Sequence, residues 1–259
     1  MVKLKNYNVR IKYFVLFLTF AAALSCGPQK AFVTKVEGKE IGIKGQNGAS
    51  AEIENFIKPY RDKVDKDLNT VLAYAPETLD KNGQWQTTMG NMFADAAMQY
   101  GNKVFEKRER KSIDIVMLNH GGIRTIIPKG DVTTRTAFEI MPFENSMVVC
   151  AMTGENIMEM INYIIAEKKP HPLSGLTFTI DKNGFAKNIL VQGKPLEDAK
   201  TYYVGTNDYL YNGGDNMLFF KKSSAKYDLD YKLRDILIDY FKDVDVIPLT
   251  TDVRISVEK

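Results

Sequence analysis

Asn119-His120-Gly121-Gly122-Ile123-Arg124 directly follows an apolar run, Ile113–Leu118 (IDIVML), that reads as a short buried strand. Paired glycines behind a strand let the backbone turn tightly and come close to a ligand. Arg124 brings a planar fork of donors suited to phosphate, and Asn119 offers both a donor and an acceptor. A second stretch has the same layout. Asn207-Asp208-Tyr209-Leu210-Tyr211-Asn212-Gly213-Gly214-Asp215 follows the strand pattern Tyr202–Thr206 and sets an aromatic and a carboxylate around another Gly-Gly pair. A carboxylate can bridge vicinal sugar hydroxyls, and an aromatic face can stack on a base. A third segment, Met141-Pro142-Phe143-Glu144-Asn145, offers one more rigidly placed aromatic. Taken singly, a Gly-Gly pair is weak evidence, and the simpler reading is a tight turn with the aromatics in the core.

Around these loops, helical and strand patterns are interspersed. Apolar residues at Ile53, Phe56, Ile57, Tyr60, Val64 and Leu68 recur at helical spacing over 51–68, with Pro59 expected to kink or restart the helix. A strand is expected at Thr70–Tyr74. A helix starting near Thr87–Thr88 carries Met89, Phe93, Ala96, Ala97, Tyr100 and Val104 on one face and ends in the charged run Glu106–Lys111. Ala137–Met141 fits one helical turn, Ser146–Met152 a strand, and Thr153 caps a helix from Gly154 to about Lys168. The hairpin Thr177–Asp181/Lys187–Val191 turns at Lys182-Asn183-Gly184. A helix over about Tyr231–Lys242 and a strand over Asp252–Val257 close the chain. Strict βαβ alternation is missing, which points to an α+β fold, or mixed α/β, and away from a doubly wound parallel sheet.

The residues offer little catalytic equipment when read alone. There are two histidines, His120 and His171, and the H-E-x-x-H, C-x-x-C, G-x-S-x-G and P-loop motifs are absent. The chain of 259 residues has 35 Lys+Arg and 32 Asp+Glu, a net charge of +3. The excess is wholly N-terminal. Lys3, Lys5, Arg10 and Lys12 precede an apolar core, Tyr13–Leu24, in a stretch of 25 residues without an acid; the remainder carries 31 basic and 32 acidic residues. That balance speaks against a nucleic-acid partner. It also gives residues 1–25 the shape of an export signal. Ala23-Leu24-Ser25-Cys26 resembles the bacterial lipobox, in which the cysteine becomes the lipidated first residue; a plain secretory peptide is the other reading. Cys26 is then the lipidation site and Cys150 a buried, inert thiol. Residues 26–50 are expected to form a tether with short strands around Phe32–Val36 and Glu40–Ile43, and 51–259 one folded domain. The expected product is an exported, membrane-anchored lipoprotein on the periplasmic or outer-membrane side.

In combination the motifs become specific. Met89-Gly90-Asn91, Ala94-Asp95-Ala96, Asn119–Arg124, Pro142-Phe143, Thr153-Gly154-Glu155, Ser174-Gly175-Leu176 and Asn207–Asp215 stand in the order of a known family. From about 50 to 257 the chain resembles the C-terminal, substrate-binding domain of the 5′-nucleotidase and UDP-sugar hydrolase family. The resemblance implies layered mixed sheets with flanking helices. It implies a nucleobase held between Phe143 and Tyr209, ribose hydroxyls on Asp215, and polar substrate groups on Asn119, Gly121, Gly122 and Arg124, the arginine on the phosphate side. Tyr209 replaces the phenylalanine common in the family. His120 reads as a loop variant and not as a metal ligand. A substrate arginine that some members carry shortly before Met-Gly-Asn is replaced by Asn82–Gln86. The family's metallophosphoesterase motifs, Asp-x-His, Asn-His-Glu and Gly-His-x-His, are not in this sequence. The resemblance therefore implies a nucleotide or nucleoside ligand and no catalytic residue, metal or cofactor in this chain. Two functions stay open: nucleotide recognition for a separately encoded metallophosphoesterase that brings divalent metals, or a stand-alone binding lipoprotein.

Overall fold

The computed structural model describes residues 7–23, 32–40, 50–250 and 252–258. Two units follow one another, Met1–Ala51 and Glu52–Lys259. In the first, residues 13–23 of the apolar stretch lie in helix α1 (Tyr7–Ala23). No described helix is long and apolar enough to cross a membrane. The strand expected around Phe32–Val36 is not formed, and residues 32–40 are exposed without regular structure. Residues 41–43 of the strand expected at Glu40–Ile43, and Cys26, lie outside the described residues.

The elements that follow are α2 (Ala51–Leu68), β1 (Val71–Ala75), α3 (Thr88–Glu109), β2 (Ile115–Met117), β3 (Gly130–Thr133), α4 (Thr134–Ile140), β4 (Ser146–Thr153), α5 (Gly154–Glu167) and β5 (Leu173–Ser174). Then come β6 (Leu176–Ile180), β7 (Ala186–Val191), β8 (Lys194–Pro195), β9 (Thr201–Asn207), α6 (Asp208–Tyr211), β10 (Ala225–Lys232), α7 (Leu233–Asp243) and β11 (Ile255–Val257). Pro59 does not break α2. Proline removes one backbone donor, and on a helix with no buried residue the freed carbonyl is left to water.

The fold is α+β. A five-stranded sheet of order β10-β4-β9-β2-β5 forms the centre, beside a four-stranded sheet β11-β6-β7-β8 and a two-stranded pair β1-β3. The apolar run of β4 is continuous because both of its faces are covered. Met147 and Val149 face a core built with α3, α4 and α7 (Phe93, Phe105, Ile140, Leu237, Phe241). Val148, Cys150 and Met152 face a second core built with α5 and β6 (Ile157, Ile161, Ile164, Phe178). Cys150 is fully buried, and burial pushes its thiol up to about 12, so it stays a neutral apolar filler.

Local rules set the boundaries. Thr87 caps α3 by accepting from the Gly90 N–H at 2.8 Å, and Thr153 caps α5. At the 181–185 turn the Asp181 carboxylate accepts from the Asn183 and Phe185 N–H groups at 2.8 and 2.9 Å, with Gly184 at φ 84°. The single turn expected at Ala137–Met141 is the two-turn α4, started by a Thr133/Thr136 capping box. The helix expected from Tyr231 begins at Leu233, because the charged segment before it is strand β10, paired with β4.

Several motif residues hold the scaffold together. Arg254, buried just before β11, donates to the carbonyls of Asn91 and Leu173 and pairs with Asp95 at 2.6 Å; the Ser174 hydroxyl donates to Asp95 at 2.7 Å. The Met-Gly-Asn and Ser-Gly-Leu segments are thus tied together through one guanidinium.

Candidate functional site

Topology brings the three loops to one edge of the central sheet. β2 and β9 are parallel neighbours, so the segments leaving their C-terminal ends, 119–124 and 207–215, emerge side by side. β4 runs antiparallel to β9, so the segment entering it, 141–145, meets the same edge. Open sheets bind ligands at the carboxyl ends of parallel strands for this reason. A cleft of ≈ 340 Å³ opens there, lined by Asn119, Gly121, Gly122, Arg124, Phe143, Asn145, Tyr209 and Asp215. All seven binding residues expected from the sequence are among them.

Asp215 is the hub. Its Oδ2 accepts from Asn119 Nδ2 at 2.7 Å and its Oδ1 from the Tyr209 hydroxyl at 2.9 Å. Its backbone is in the left-handed region (φ 51°, ψ 25°), which Asp tolerates better than most residues. The Tyr163 hydroxyl of α5 donates to the Asp215 carbonyl at 2.7 Å and holds that conformation. Each carboxylate oxygen keeps a lone pair for a further donor. The hydrogen bond that the phenol donates to Asp215 is the first cause, and burial the second, that pushes the Tyr209 phenol up, so it stays protonated.

The two glycine pairs serve close approach. A Cβ on Gly122 would stand 2.7 Å from Asn119 Oδ1, and one on Gly214 would stand 2.4 Å from the Tyr209 ring. Asn119 is only 7% exposed, whereas Phe143 and Tyr209 are 41% and 45% exposed. Large apolar rings left this open beside a polar hub are not core residues. Arg124 Nη1 donates to the Gly121 carbonyl at 3.2 Å, and its guanidinium lies 5.8 Å from the Phe143 ring centroid.

Three contributors were not legible beforehand. Asn145 lines the cleft from within a segment read only for its aromatic. Tyr163 lies in a helical pattern and carries no motif. Lys81 donates to the Ile123 carbonyl at 2.5 Å, and its ammonium is pushed down by burial and then by Arg124. Two cations therefore converge on the 119–124 loop, near the segment where the substrate arginine of some family members is replaced.

His120 opens a single 3-10 turn, His120–Gly122. Its N–H donates to His171 Nδ1 at 3.3 Å, which brings the two histidines together. Among the described residues no group of three or more His, Cys, Asp or Glu converges as a metal site. His171 is 4% exposed, and burial, then His120, pushes its imidazole down from 6.5 to about 4. The unfolded chain binds a proton at higher pH than the folded one. Stability from this group is complete above pH 6.5 and is lost as pH falls toward 4, by up to about 3 kcal/mol. Urea melts between pH 4 and 7 should show that slope, and His171→Gln should flatten it.

The chain has counterparts among known proteins. The family described as 5′-nucleotidase, C-terminal domain, matches residues 68–222. A 5′-nucleotidase of Vibrio vulnificus (strain CMCP6) is 27% identical over 198 residues, which is 70% of this chain and 32% of that protein. The cell wall protein Lmo0130 of Listeria monocytogenes is 30% identical over 173 residues, 61% of this chain and 21% of that protein. The chain thus spans about a third or less of these relatives. The solved 5′-nucleotidase precursor from Thermus thermophilus has the same fold, with a TM-score of 0.65 and 24% identity over 79% of this chain and 42% of that one. The family match covers more than half of the residues, runs through the loop of Asn119 and Arg124, the Phe143 segment and the loop of Tyr209 and Asp215, and so the chain belongs to the 5′-nucleotidase C-terminal domain family.

Proposed function

We propose that this chain is the nucleotide-recognition component of a 5′-nucleotidase-type phosphohydrolase, with the hydrolytic centre on a separately encoded metallophosphoesterase. The observation that carries the reading is the cleft itself: two half-exposed aromatic rings flanking a carboxylate hub, with Arg124 and Lys81 at the Gly-rich loop. The base stacks between Phe143 and Tyr209, worth about 1–3 kcal/mol per ring contact. The ribose hydroxyls donate to the free lone pairs of Asp215. Arg124 takes the phosphate in a bidentate grip, and Lys81 adds positive charge behind it. When the partner is docked, its divalent metals supply the activated water; this chain's own part is to hold and orient the phosphate ester.

Calorimetric titration with AMP and adenosine tests recognition. Both should bind, AMP more tightly, and the absence of any binding would remove the reading. Adding this chain to the candidate metallophosphoesterase with a divalent metal should raise phosphate release from AMP. Binding without such a gain would leave the stand-alone binding lipoprotein as the function.

The reading includes export and anchoring, supported by the charge and apolar pattern of residues 1–25 and by the Cys26 context. Metabolic labelling with a fatty acid should mark the wild-type chain and not Cys26→Ser. Unlabelled wild type would mean an ordinary secretory signal.

A further inference from the structure

Phe143 stands on a segment, 141–145, without regular structure, yet stacking on a base requires the ring to wait in one place. The residues that hold this segment come from the entry to α7, some ninety positions later in the chain. Leu233 N–H donates to the Asn145 carbonyl at 3.0 Å. Arg234 Nη1 lies 3.5 Å from both the Pro142 and the Phe143 carbonyl oxygens, and its Nη2 pairs with the Glu144 carboxylate. Lys232 pairs with the other oxygen of Glu144. Lys232 and then Arg234 hold the Glu144 carboxyl at about 2, so it stays ionised throughout the working pH range.

Arg234 is an expensive choice for this position. It is 7% exposed, and a charge taken from water is costly unless it is well paired. It also sits in the first turn of α7, where the helix dipole disfavours a cation. A methionine of similar volume would fill the space and avoid both penalties. What only a guanidinium supplies is a planar fork reaching several acceptors on one segment while its face stacks on an aromatic ring. Its backbone and carboxylate partners all lie within Pro142–Glu144, and its face covers the Phe138 ring at 4.3 Å.

We propose that Arg234 is the positioning residue of the aromatic clamp: its buried guanidinium fixes the Pro142–Glu144 backbone and so holds the Phe143 ring opposite Tyr209 before any ligand arrives. The inference rests on the base-binding reading above. It assigns Arg234 no contact with substrate; it acts through Phe143. Ordering a ring in advance removes an immobilisation cost from binding, which corresponds to roughly three- to tenfold in affinity.

The test uses the full chain carrying Trp85→Phe and Phe143→Trp, so that the only indole sits in the clamp. In the ligand-free protein, Arg234→Met should lower the fluorescence anisotropy of that indole, and Arg234→Lys, which keeps the charge and loses the fork, should restore only part of it. In the otherwise native chain, Arg234→Met should weaken adenosine roughly three- to tenfold and leave ribose 5-phosphate, which has no base to stack, within about twofold. Unchanged anisotropy in a folded Arg234→Met variant overturns the proposal, as does equal weakening of both ligands, which is the mark of general destabilisation. Should Arg234→Met not fold, Glu144→Gln removes the ionic anchor alone and should shift both readouts in the same direction; no shift overturns the proposal equally. If wild type binds no adenosine, the base-binding reading fails while the anisotropy still decides what Arg234 holds.

Discussion

Asp215→Ala lowers adenosine affinity about 100-fold, measured by calorimetry, and leaves free adenine nearly unaffected. Hydrogen bonds to a charged group contribute about 1.5–3 kcal/mol, and two ribose hydroxyls lose such a partner together. About 3 kcal/mol of loss corresponds to roughly two powers of ten in Kd. The change reaches further than the ligand, because Asn119 Nδ2 and the Tyr209 hydroxyl share the same acceptor. Asn119 is nearly buried, so its amide is left without a partner and turns away from the cleft. Tyr209 is half exposed and its hydroxyl turns to water at little cost. The fold should survive, since Asp215 lies in an exposed loop, and a thermal melt should move by a few degrees at most. Asp215→Asn keeps one acceptor oxygen and should fall between wild type and alanine. An adenosine affinity for Asp215→Ala within threefold of wild type would show that the ribose is held elsewhere.

Gly214→Ala is expected to cost about five- to a hundredfold in adenosine affinity while the fold stays intact. The added methyl would stand 2.4–2.6 Å from three atoms of the Tyr209 ring, closer than any carbon pair tolerates. The ring is a side chain on the cleft surface and can swing aside, so the strain is relieved by moving the clamp and not by unfolding. In its displaced position the hydroxyl gives up the 2.9 Å bond to Asp215, and one stacking face is lost. A stacking contact worth about 1–3 kcal/mol sets the expected loss. Gly213→Ala makes a useful contrast. Gly213 is in the left-handed region at φ 96°, so that substitution strains the backbone and should lower stability as well as affinity. A Gly214→Ala variant that binds as wild type would mean that Tyr209 does not contact the base.

Much of this site was legible in the chain because its signals are local. A Gly-Gly pair behind an apolar run, an Arg two residues on, an aromatic and an Asp around a second pair each announce a turn with chemistry attached, and the seven residues that the family resemblance singles out in these segments line one cleft. Helices with one apolar face, such as α3 and α5, were readable for the same reason, as were the caps Thr87 and Thr153. The charged strand β10 was not. Its residues 225–232 alternate about a single buried Leu229, and only pairing with β4 makes them a strand.

The α+β class, the three loops and the identities of the groups they carry are written along the chain, because backbone turns and side-chain chemistry depend on neighbours within a few positions. The hydrogen bond between Asn119 and Asp215, 96 positions apart, exists because the folded chain brings their loops together. Folding likewise brings Lys81 to Ile123, Tyr163 to the Asp215 carbonyl and Arg234 to the Phe143 segment. The Asn119–Asp215 contact follows from β2 lying beside β9, and the Arg234 contact from β10 lying beside β4. Pairing of distant strands is selected by the burial of whole faces, which no local pattern encodes.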